Sequence, residues 1–428
     1  MIRGIAQLFS SSNRDLLKRI AFTLLCVGLF CLGTTVTVPW ASKLSQDLGF
    51  LEIFNLMSGG GLQNFSIFAL GVSPYITASI ITQLLQMDII PYFKELKEQG
   101  YVGRQKINKI TRYLAIALAF VQAYALCIFY MKSLGTMGMI KTALVMTAGT
   151  SFCLWLGDEI TKKGVGNGTS MLILAGIVQS MPSIFTGAYN AFINGEFALP
   201  LGITLFVIFV LVYILVLVGI IYIQLAERRI SIQYANRTTS AYGAQQSYLP
   251  IKMNSAGVMP VIFAQIILTV PSTIVALIGN ETAQNFINKY ILYTSNTGIL
   301  LYMILILFFG YFYTFMVMNP DEMSKNLNER GGYIPGIRPG EDTSKYISSS
   351  ISKLTIVGNI FLIIIAILPI LVSRLSVFLS NNSTELSGTI TIGGTGLLIV
   401  VGVAIETYKQ IESSLTARSY AAKKKRFR

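Results

Sequence analysis

Residues 200–225 read PLGITLFVIFVLVYILVLVGIIYIQL, 26 positions without an Asp, Glu, Lys or Arg, and the run closes on Ala226-Glu227-Arg228-Arg229. Crossing the hydrocarbon core takes about 20 apolar residues in a helix. A helix is the element expected, because lipid offers backbone N–H and C=O groups no partner of its own. Outward from this run the chain repeats the pattern, at roughly 20–39, 70–87, 113–131, 143–157 and 169–187 before it, and at 256–278, 299–318, 354–373 and 389–405 after it. None shows the short alternation of a barrel strand. A mean hydropathy of +0.63, with 53% hydrophobic and 12% charged residues, sets the chain apart from soluble domains. Ten such spans occupy about half of the 428 residues, which leaves loops but no second large soluble domain.

The charges are sorted along this pattern. Of the 33 Lys and Arg, 28 fall on the alternate segments that share a side with residue 1, and 5 on the others. Such a bias is the positive-inside rule, and it puts both termini in the cytoplasm. The net charge of +14 lies in inside segments and in the tail Lys423-Lys424-Lys425-Arg426, where anionic lipid rather than nucleic acid is the expected partner. Cys26, Cys31, Cys127 and Cys153 fall within spans without paired spacing and read as small packing residues. The absence of histidine removes the commonest metal ligand and general base. The first run is too long for a signal peptide, and Val38-Pro39-Trp40 is a poor cleavage context, so it is kept as a span. Ahead of it, Ile2, Ile5, Leu8 and Phe9 share a helical face with Arg3 off it, which predicts a short interfacial helix on the cytoplasmic side.

Two regions break the uniform pattern. The outside segment Phe50 to Phe65 is half apolar but interrupted by Ser58-Gly59-Gly60-Gly61, too short and too glycine-rich to cross. It reads either as a re-entrant element, which needs burial in protein or against a wet cavity, or as an ordinary extracellular loop. The inside loops at about 226–255 and 319–353 are polar, and the second holds Gly331-Gly332-Tyr333-Ile334-Pro335-Gly336-Ile337-Arg338-Pro339-Gly340. Its glycines and prolines predict a shaped loop that presents Arg338 near the tip, and loops held by rigid helices commonly carry function.

No nucleotide, zinc-protease or serine-hydrolase motif is present, and Gly164-Val165-Gly166-Asn167-Gly168 lacks the strand a phosphate loop requires, so it reads as a helix-entry turn. Asp, Glu, Lys and Arg are essentially confined to span ends, with Arg112, Asp158 and Glu406 at boundaries. Ion-coupled transporters normally place an ionisable group near the midplane. The second span instead carries the uncharged polar residues Ser73, Thr77, Ser79, Thr82, Gln83 and Gln86, for which Gln122 and Gln265 are candidate partners. Interhelical hydrogen bonding worth about 0.6 kcal/mol per bond is the plainer account of them. Val72, Ile76 and Ile80 recur at i, i+4 and i+8 on the same span, a stripe that serves either packing or an apolar constriction that closes by dewetting.

An ordered set of motifs resembles the SecY family of bacterial protein-conducting channels. It runs from Gly71-Val72-Ser73-Pro74-Tyr75-Ile76 and Gln83-Leu84-Leu85, through Gly100-Tyr101-Val102-Gly103-Arg104, Thr111-Arg112-Tyr113, Gly166-Asn167-Gly168-Thr169-Ser170 and Glu227-Arg228-Arg229-Ile230. It continues with Leu249-Pro250, Asn254, Pro260, Asn319-Pro320, Ile334 to Gly340 and Gly393-Gly394-Thr395, so it covers nearly the whole chain. The resemblance implies an all-α integral membrane protein of ten transmembrane helices, in two inverted five-helix halves around a central pore, with a re-entrant plug helix. The implied organisation is an interfacial N-terminal helix over 1–19, a first half over 20–187 with the plug at about 50–65, a second half over 188–408 holding both cytoplasmic loops, and a basic tail over 409–428. Carried over by motif, the pore ring is Val72, Ile76, Ile80, Ile173, Ile262 and Ile399. Thr169 stands outside the ring, because the family often has an aliphatic residue there. The plug holds Ser58, Gly59, Gly60 and Gly61, and the lateral gate is flanked by Thr77, Gln83, Gln122, Gln265 and Val270. Arg338 is the expected docking residue for the ribosome or the SecA ATPase, helped by Arg228, Arg229 and Arg237, which ordinary positive-inside charge also explains.

The resemblance further implies SecE-like and SecG-like small subunits, signal-sequence-bearing preproteins as clients, the bacterial cytoplasmic membrane as location, and no cofactor. The implied function is a channel that passes unfolded preproteins across the membrane and releases transmembrane segments laterally into lipid. An interior lined by Ile and Val without fixed charge independently suits a collar that must yield to any sequence. The rivals are a secondary transporter or lipid flippase, which calls for a midplane ionisable group that the sequence lacks, and an intramembrane enzyme, which calls for catalytic Asp, His or Ser pairs within spans, of which the Asp and His are missing.

Overall fold

The first long apolar run folds as α1 (Arg14–Thr35), with Cys26, Phe30 and Thr34 buried along one side and Leu24, Leu25 and Leu32 facing outward. The computed structural model describes residues 14–41, 52–86, 90–131, 135–193, 199–234, 247–278, 281–291, 295–379 and 394–426. The predicted interfacial helix with Ile2, Ile5, Leu8 and Phe9, and Arg237 of the first long loop, lie outside the described residues.

After α1 come α2 (Glu52–Met57), α3 (Ser73–Leu85), α4 (Pro91–Glu98), α5 (Tyr101–Tyr130), α6 (Gly135–Lys163), α7 (Gly168–Ile193) and α8 (Leu199–Leu225). The chain then forms β1 (Glu227–Tyr234), β2 (Ser247–Lys252), α9 (Met259–Ile278), α10 (Glu281–Tyr290), α11 (Asn296–Val317), α12 (Pro320–Glu329), β3 (Gly332–Tyr333), α13 (Glu341–Leu379) and α14 (Gly394–Arg426). Among the described residues seven helical stretches are long and apolar enough to cross a membrane, those carrying α1, α5, α6, α7, α8, α11 and α13. The three other predicted spans coincide with α3, α9 and α14. α14 continues unbroken to Arg426, through most of the predicted basic tail. α8 is apolar all round and exposes Leu215, Val218 and Tyr222, an unworkable surface in water and an ordinary one in lipid.

The predicted second span is the largest departure from a uniform helix. α3 has 13 residues, about 20 Å at 1.5 Å per residue, against an apolar core of about 30 Å. It starts late because Gly71 has φ +51° and Pro74 sits in its first turn, where a missing N–H costs nothing. The irregular stretch ahead of it is buried in protein, the condition under which non-helical backbone is tolerated in a membrane protein.

The chain divides into two compact units. The first comprises residues 1–190, 270–284 and 399–428. Its centre is the α5–α6 pair, where Ala115, Ala119 and Ala123 form a fully buried stripe at i, i+4 and i+8. Small side chains let backbones approach, and that packing, rather than a hydrophobic drive, is what joins helices in lipid. α1 packs on α6, while α3 and α4 pack on α5. Arg112 of α5 and Asp158 of α6 form an ion pair of 2.6 Å.

The Gly164–Gly168 turn is locked in the same unit. Val165 N–H donates to Thr23 Oγ1 at 3.0 Å, and Gly168 N–H donates to Thr161 Oγ1 at 2.8 Å. A Cβ on Gly168 would sit 1.8 Å from the Gly157 carbonyl oxygen. Gly168→Val is therefore expected to cost about 1–3 kcal/mol through overpacking, read as earlier thermal aggregation of the detergent-solubilised protein.

The second unit comprises residues 191–269 and 285–398. α11 packs against α13, with Asn359 buried beside Gly310 and donating to the Leu307 carbonyl at 3.3 Å. Below them the two long cytoplasmic loops are not separate excursions. β1 pairs antiparallel with β2 (Arg228↔Ile251, Ile230↔Leu249) and on its other edge with β3 (Gln233↔Tyr333), giving the order β2-β1-β3. Because β1 follows the sixth predicted span and β3 the eighth, their pairing requires both loops to lie on one side of the membrane, as the charge count predicts.

Candidate functional site

Helix α3 carries the predicted constriction and its polar face. Val72 is the residue before the helix, and Val72 and Ile80 are buried while Ile76 is half-buried. The hydroxyls of the opposite face turn back on their own helix: Thr77 Oγ1 donates to the Ser73 carbonyl at 3.2 Å and Thr82 Oγ1 to that of Ala78 at 2.9 Å. Thr82 also meets Thr111 of α5 at 3.0 Å, and Gln83 Nε2 donates to Ser79 Oγ at 3.2 Å. Among the described residues no hydrogen bond joins α3 to Gln122, so Thr111 takes the role predicted for that glutamine. Gln83 Oε1 is buried without a partner.

Of the other predicted ring residues, Ile173 on α7 and Ile399 on α14 are buried and Ile262 on α9 is half-buried. Gln265 is buried and Val270 exposed, both on α9. Thr169 has a local explanation. Its N–H and hydroxyl both donate to Asn167 Oδ1, at 3.2 and 2.8 Å, so it belongs to the capped first turn of α7.

The Ser58–Gly61 segment folds back, with Ser58 and Gly61 buried and Gly59 and Gly60 half-buried, a placement consistent with the re-entrant reading of it. α2 ends at Met57, and the chain then reverses with Gly59 at φ +67° and Gly60 at φ +79°. Asn55 organises the reversal: its carbonyl accepts from Gly60 N–H at 2.8 Å and from Ser58 Oγ at 3.0 Å, while its Oδ1 accepts from Gln63 N–H at 3.0 Å. Met57, Ser58, Leu62 and Phe65 are buried. Leu62 and Phe65 join a cluster with Ala119, Ala123 and Met146 of α5 and α6, and Phe65 O and Ile67 N–H pair with the backbone beyond α1.

The cytoplasmic platform is built on an apolar core of Ile230, Ile232, Ile251, Leu327, Ile334, Ile347 and Ile351. Asn319 caps α12 through a 3.1 Å bond from Asp321 N–H. The tip is held from two sides: Ser324 Oγ donates to the Gly340 carbonyl and Thr343 Oγ1 to the Arg338 carbonyl, both at 2.8 Å. Gly336 and Gly340 have φ of +82° and +106°, a region that only glycine enters freely. Between them Ile337 packs on the core and Arg338 is exposed, with no ion pair among the described residues.

Arg229 is engaged instead. Its Nε donates to Glu227 at 2.8 Å, which holds the guanidinium above its ordinary range, and its Cζ lies 4.7 Å from the centre of the Tyr248 ring. Arg228 is exposed on the next position of the strand.

Two kinds of comparison place this arrangement. The family model described as SecY matches residues 66–408. The chain belongs to the SecY family. Curated SecY relatives, each described as "Protein translocase subunit SecY", include one from Staphylococcus aureus (strain NCTC 8325 / PS 47), 43% identical over 98% of this chain and 99% of the relative. Another, from Bacillus subtilis (strain 168), is 43% identical over 95% and 96%. Among solved structures, "The structure of a protein conducting channel" matches with a TM-score of 0.67 at 20% identity, over 94% of this chain and 93% of that one. The Sec61 chain of "Sec61 in the Canine ribosome-channel complex from the endoplasmic reticulum" matches with a TM-score of 0.61 at 19% identity, over the same shares. At those identities the structures establish the SecY fold alone, and the family rests on the sequence matches.

Proposed function

We propose that this chain is the channel subunit of a protein translocase in a bacterial cytoplasmic membrane. It passes unfolded, signal-sequence-bearing preproteins outward and releases transmembrane segments sideways into lipid. The observation that carries the reading is identity of 43% to protein translocase subunits over almost the full length of both chains. An interior without fixed charge and an apolar stripe on α3 support it physically, since a specific binding site or a buried charge would trap clients of arbitrary sequence.

In this reading the chain is organised as two inverted five-helix halves, the first over residues 20–187 and the second over 188–408. Val72, Ile76, Ile80, Ile173, Ile262 and Ile399 form the yielding collar, and the Ser58–Gly61 segment is the plug. Thr77, Gln83, Gln122, Gln265 and Val270 flank the exit to lipid. The chain carries no nucleotide motif and is not itself an enzyme; energy comes from a SecA-type ATPase or a ribosome seated on the platform, while SecE-like and SecG-like subunits brace the channel in anionic lipid.

Reconstitution of the chain with its small subunits in proteoliposomes tests the reading by scoring protease-protected preprotein. Protection that requires SecA, ATP and a signal sequence is expected, and absence of motor binding would overturn it. A finer outcome concerns the platform tip. Thr343→Val removes the bond that fixes the Arg338 carbonyl, and a lost hydrogen bond of about 1 kcal/mol predicts roughly five-fold weaker motor binding with the channel still folded.

A further inference from the structure

One face of α7 carries Ile173, Gly176 and Ser180, spaced i, i+3 and i+7, with Gln179 beside them. The segment from Leu56 to Gly59 lies directly on this face. A Cβ on Gly176 would stand 2.2 Å from the Met57 carbonyl oxygen and 3.0 Å from Gly59 N, so only glycine admits the segment at this depth. Ser180 Oγ lies 3.1 Å from the Leu56 carbonyl, 124 positions away, and 2.8 and 3.2 Å from the Gly176 and Ile177 carbonyls of its own helix, so its one proton is shared between the segment and the helix. From the other side, a Cβ on Gly59 would meet Gln179 Oε1 at 2.7 Å. Gln179 is held in place by Thr34 of α1, with Nε2 donating to Thr34 Oγ1 at 3.0 Å. The same hydroxyl donates to the Cys31 carbonyl at 2.8 Å.

We propose that Gly176, Ser180 and Gln179 of α7 form a seat that latches the Leu56–Gly59 backbone and holds the channel closed. This rests on reading the segment as the plug. Gly176 and Ser180 are positioning residues: they act through the backbone they hold, touching no client. Their chemistry suits a latch that must release. It is one hydroxyl–carbonyl bond and a glycine-to-backbone contact, with no charge and no large apolar interlock, so the grip is short-range and opens once the segment moves by a fraction of a turn. The seat also explains the order along α7. Gly176 is three residues beyond Ile173, about 4.5 Å at the helical rise, so a latched segment lies one step outward of the collar that Ile173 is proposed to line.

The test is planar-bilayer conductance of the complete translocase without client, comparing the parent, Ser180→Ala, Gly176→Val, and a variant lacking residues 52–61. Loss of this shared contact predicts at most roughly five-fold more open time for Ser180→Ala. Overpacking at Gly176 predicts roughly ten- to hundred-fold more for Gly176→Val. Secretion of an intact preprotein by each variant reports that it folds. Background conductance in Ser180→Ala and in a secretion-competent Gly176→Val, with high conductance in the deletion variant, would overturn the latch while leaving the plug intact. Background conductance in the deletion variant itself would overturn the plug reading. Should Gly176→Val fail to secrete, Ser180→Ala alone decides, since it removes one oxygen and creates no clash.

Discussion

Arg338→Glu is expected to abolish ATP-driven secretion while the channel still folds, inserts and holds its seal. The side chain is exposed and free of ion pairs among the described residues, yet the backbone that carries it is tied down by two side-chain hydrogen bonds. Thr343 holds the Arg338 carbonyl and Ser324 that of Gly340, Ile337 is anchored in the apolar core, and Gly336 and Gly340 turn the chain. A pre-positioned guanidinium loses little entropy on meeting a carboxylate or phosphate, and its planar donors bind such groups in pairs. Breaking one hydrogen-bonded charge pair in an interface costs about 2–5 kcal/mol, and inversion adds repulsion. At roughly 1.4 kcal/mol per decade that is well over ten-fold in motor affinity. Arg229→Glu supplies the contrast. Its guanidinium is already engaged with Glu227 and Tyr248, so its loss is expected to be small beside that of Arg338. Motor binding and stimulated ATPase, measured on membranes with equal channel content, check both. Undiminished secretion by Arg338→Glu would remove the docking role from this residue.

The sequence reports the membrane class and the sidedness with little ambiguity, for a physical reason. A charge-free run of 26 residues and a lopsided distribution of Lys and Arg are properties of composition, readable without knowing any contact. The shortness of α3 was harder to see. Residues 70–87 are uniformly apolar or uncharged, and only Gly71 and Pro74 hint that the helix begins at Ser73. The sheet was missed because Glu227–Tyr234 and Ser247–Lys252 are charged, short and broken by Pro250, and their partner Gly332–Tyr333 is two residues long. Register across 100 positions is a tertiary fact that no local pattern encodes. The α7 seat left one signal. Gly176 and Ser180 make a small-x-x-x-small pair, which marks close backbone approach in membranes, but the pair does not say that a folded-back segment rather than a helix lies upon it. Thr111 as the partner of Thr82 carried no signal at all, since every span holds several hydroxyls.

Replacing Ile76 and Ile173 together with Asn is expected to raise resting ion conductance by roughly one to two decades, through the seal and not through the fold. Ile76 lies on the α3 stripe between Val72 and Ile80, and Ile173 lies one step from the α7 seat. A narrow apolar collar stays closed to ions because water entering it loses hydrogen bonds. A polar group restores partners worth about 1–3 kcal/mol each, which raises the hydrated fraction by roughly ten- to hundred-fold. In the proposed reading the collar and the seat are two barriers in series along α7, and they fail differently. Loss of the seat frees the segment but leaves the apolar collar to pinch the pore, giving brief openings that a closing plug terminates. Loss of the collar leaves the plug seated but imperfectly sealed, giving a small steady leak. Combining Ser180→Ala with the double Asn variant should therefore exceed the product of the separate effects, since each barrier masks failure of the other. Planar-bilayer records of the single, double and triple variants separate these cases by open-time distribution. If conductance of the Ile76/Ile173 variant stays at background while the plug-deleted channel conducts, those two side chains pack the helices and the seal lies elsewhere.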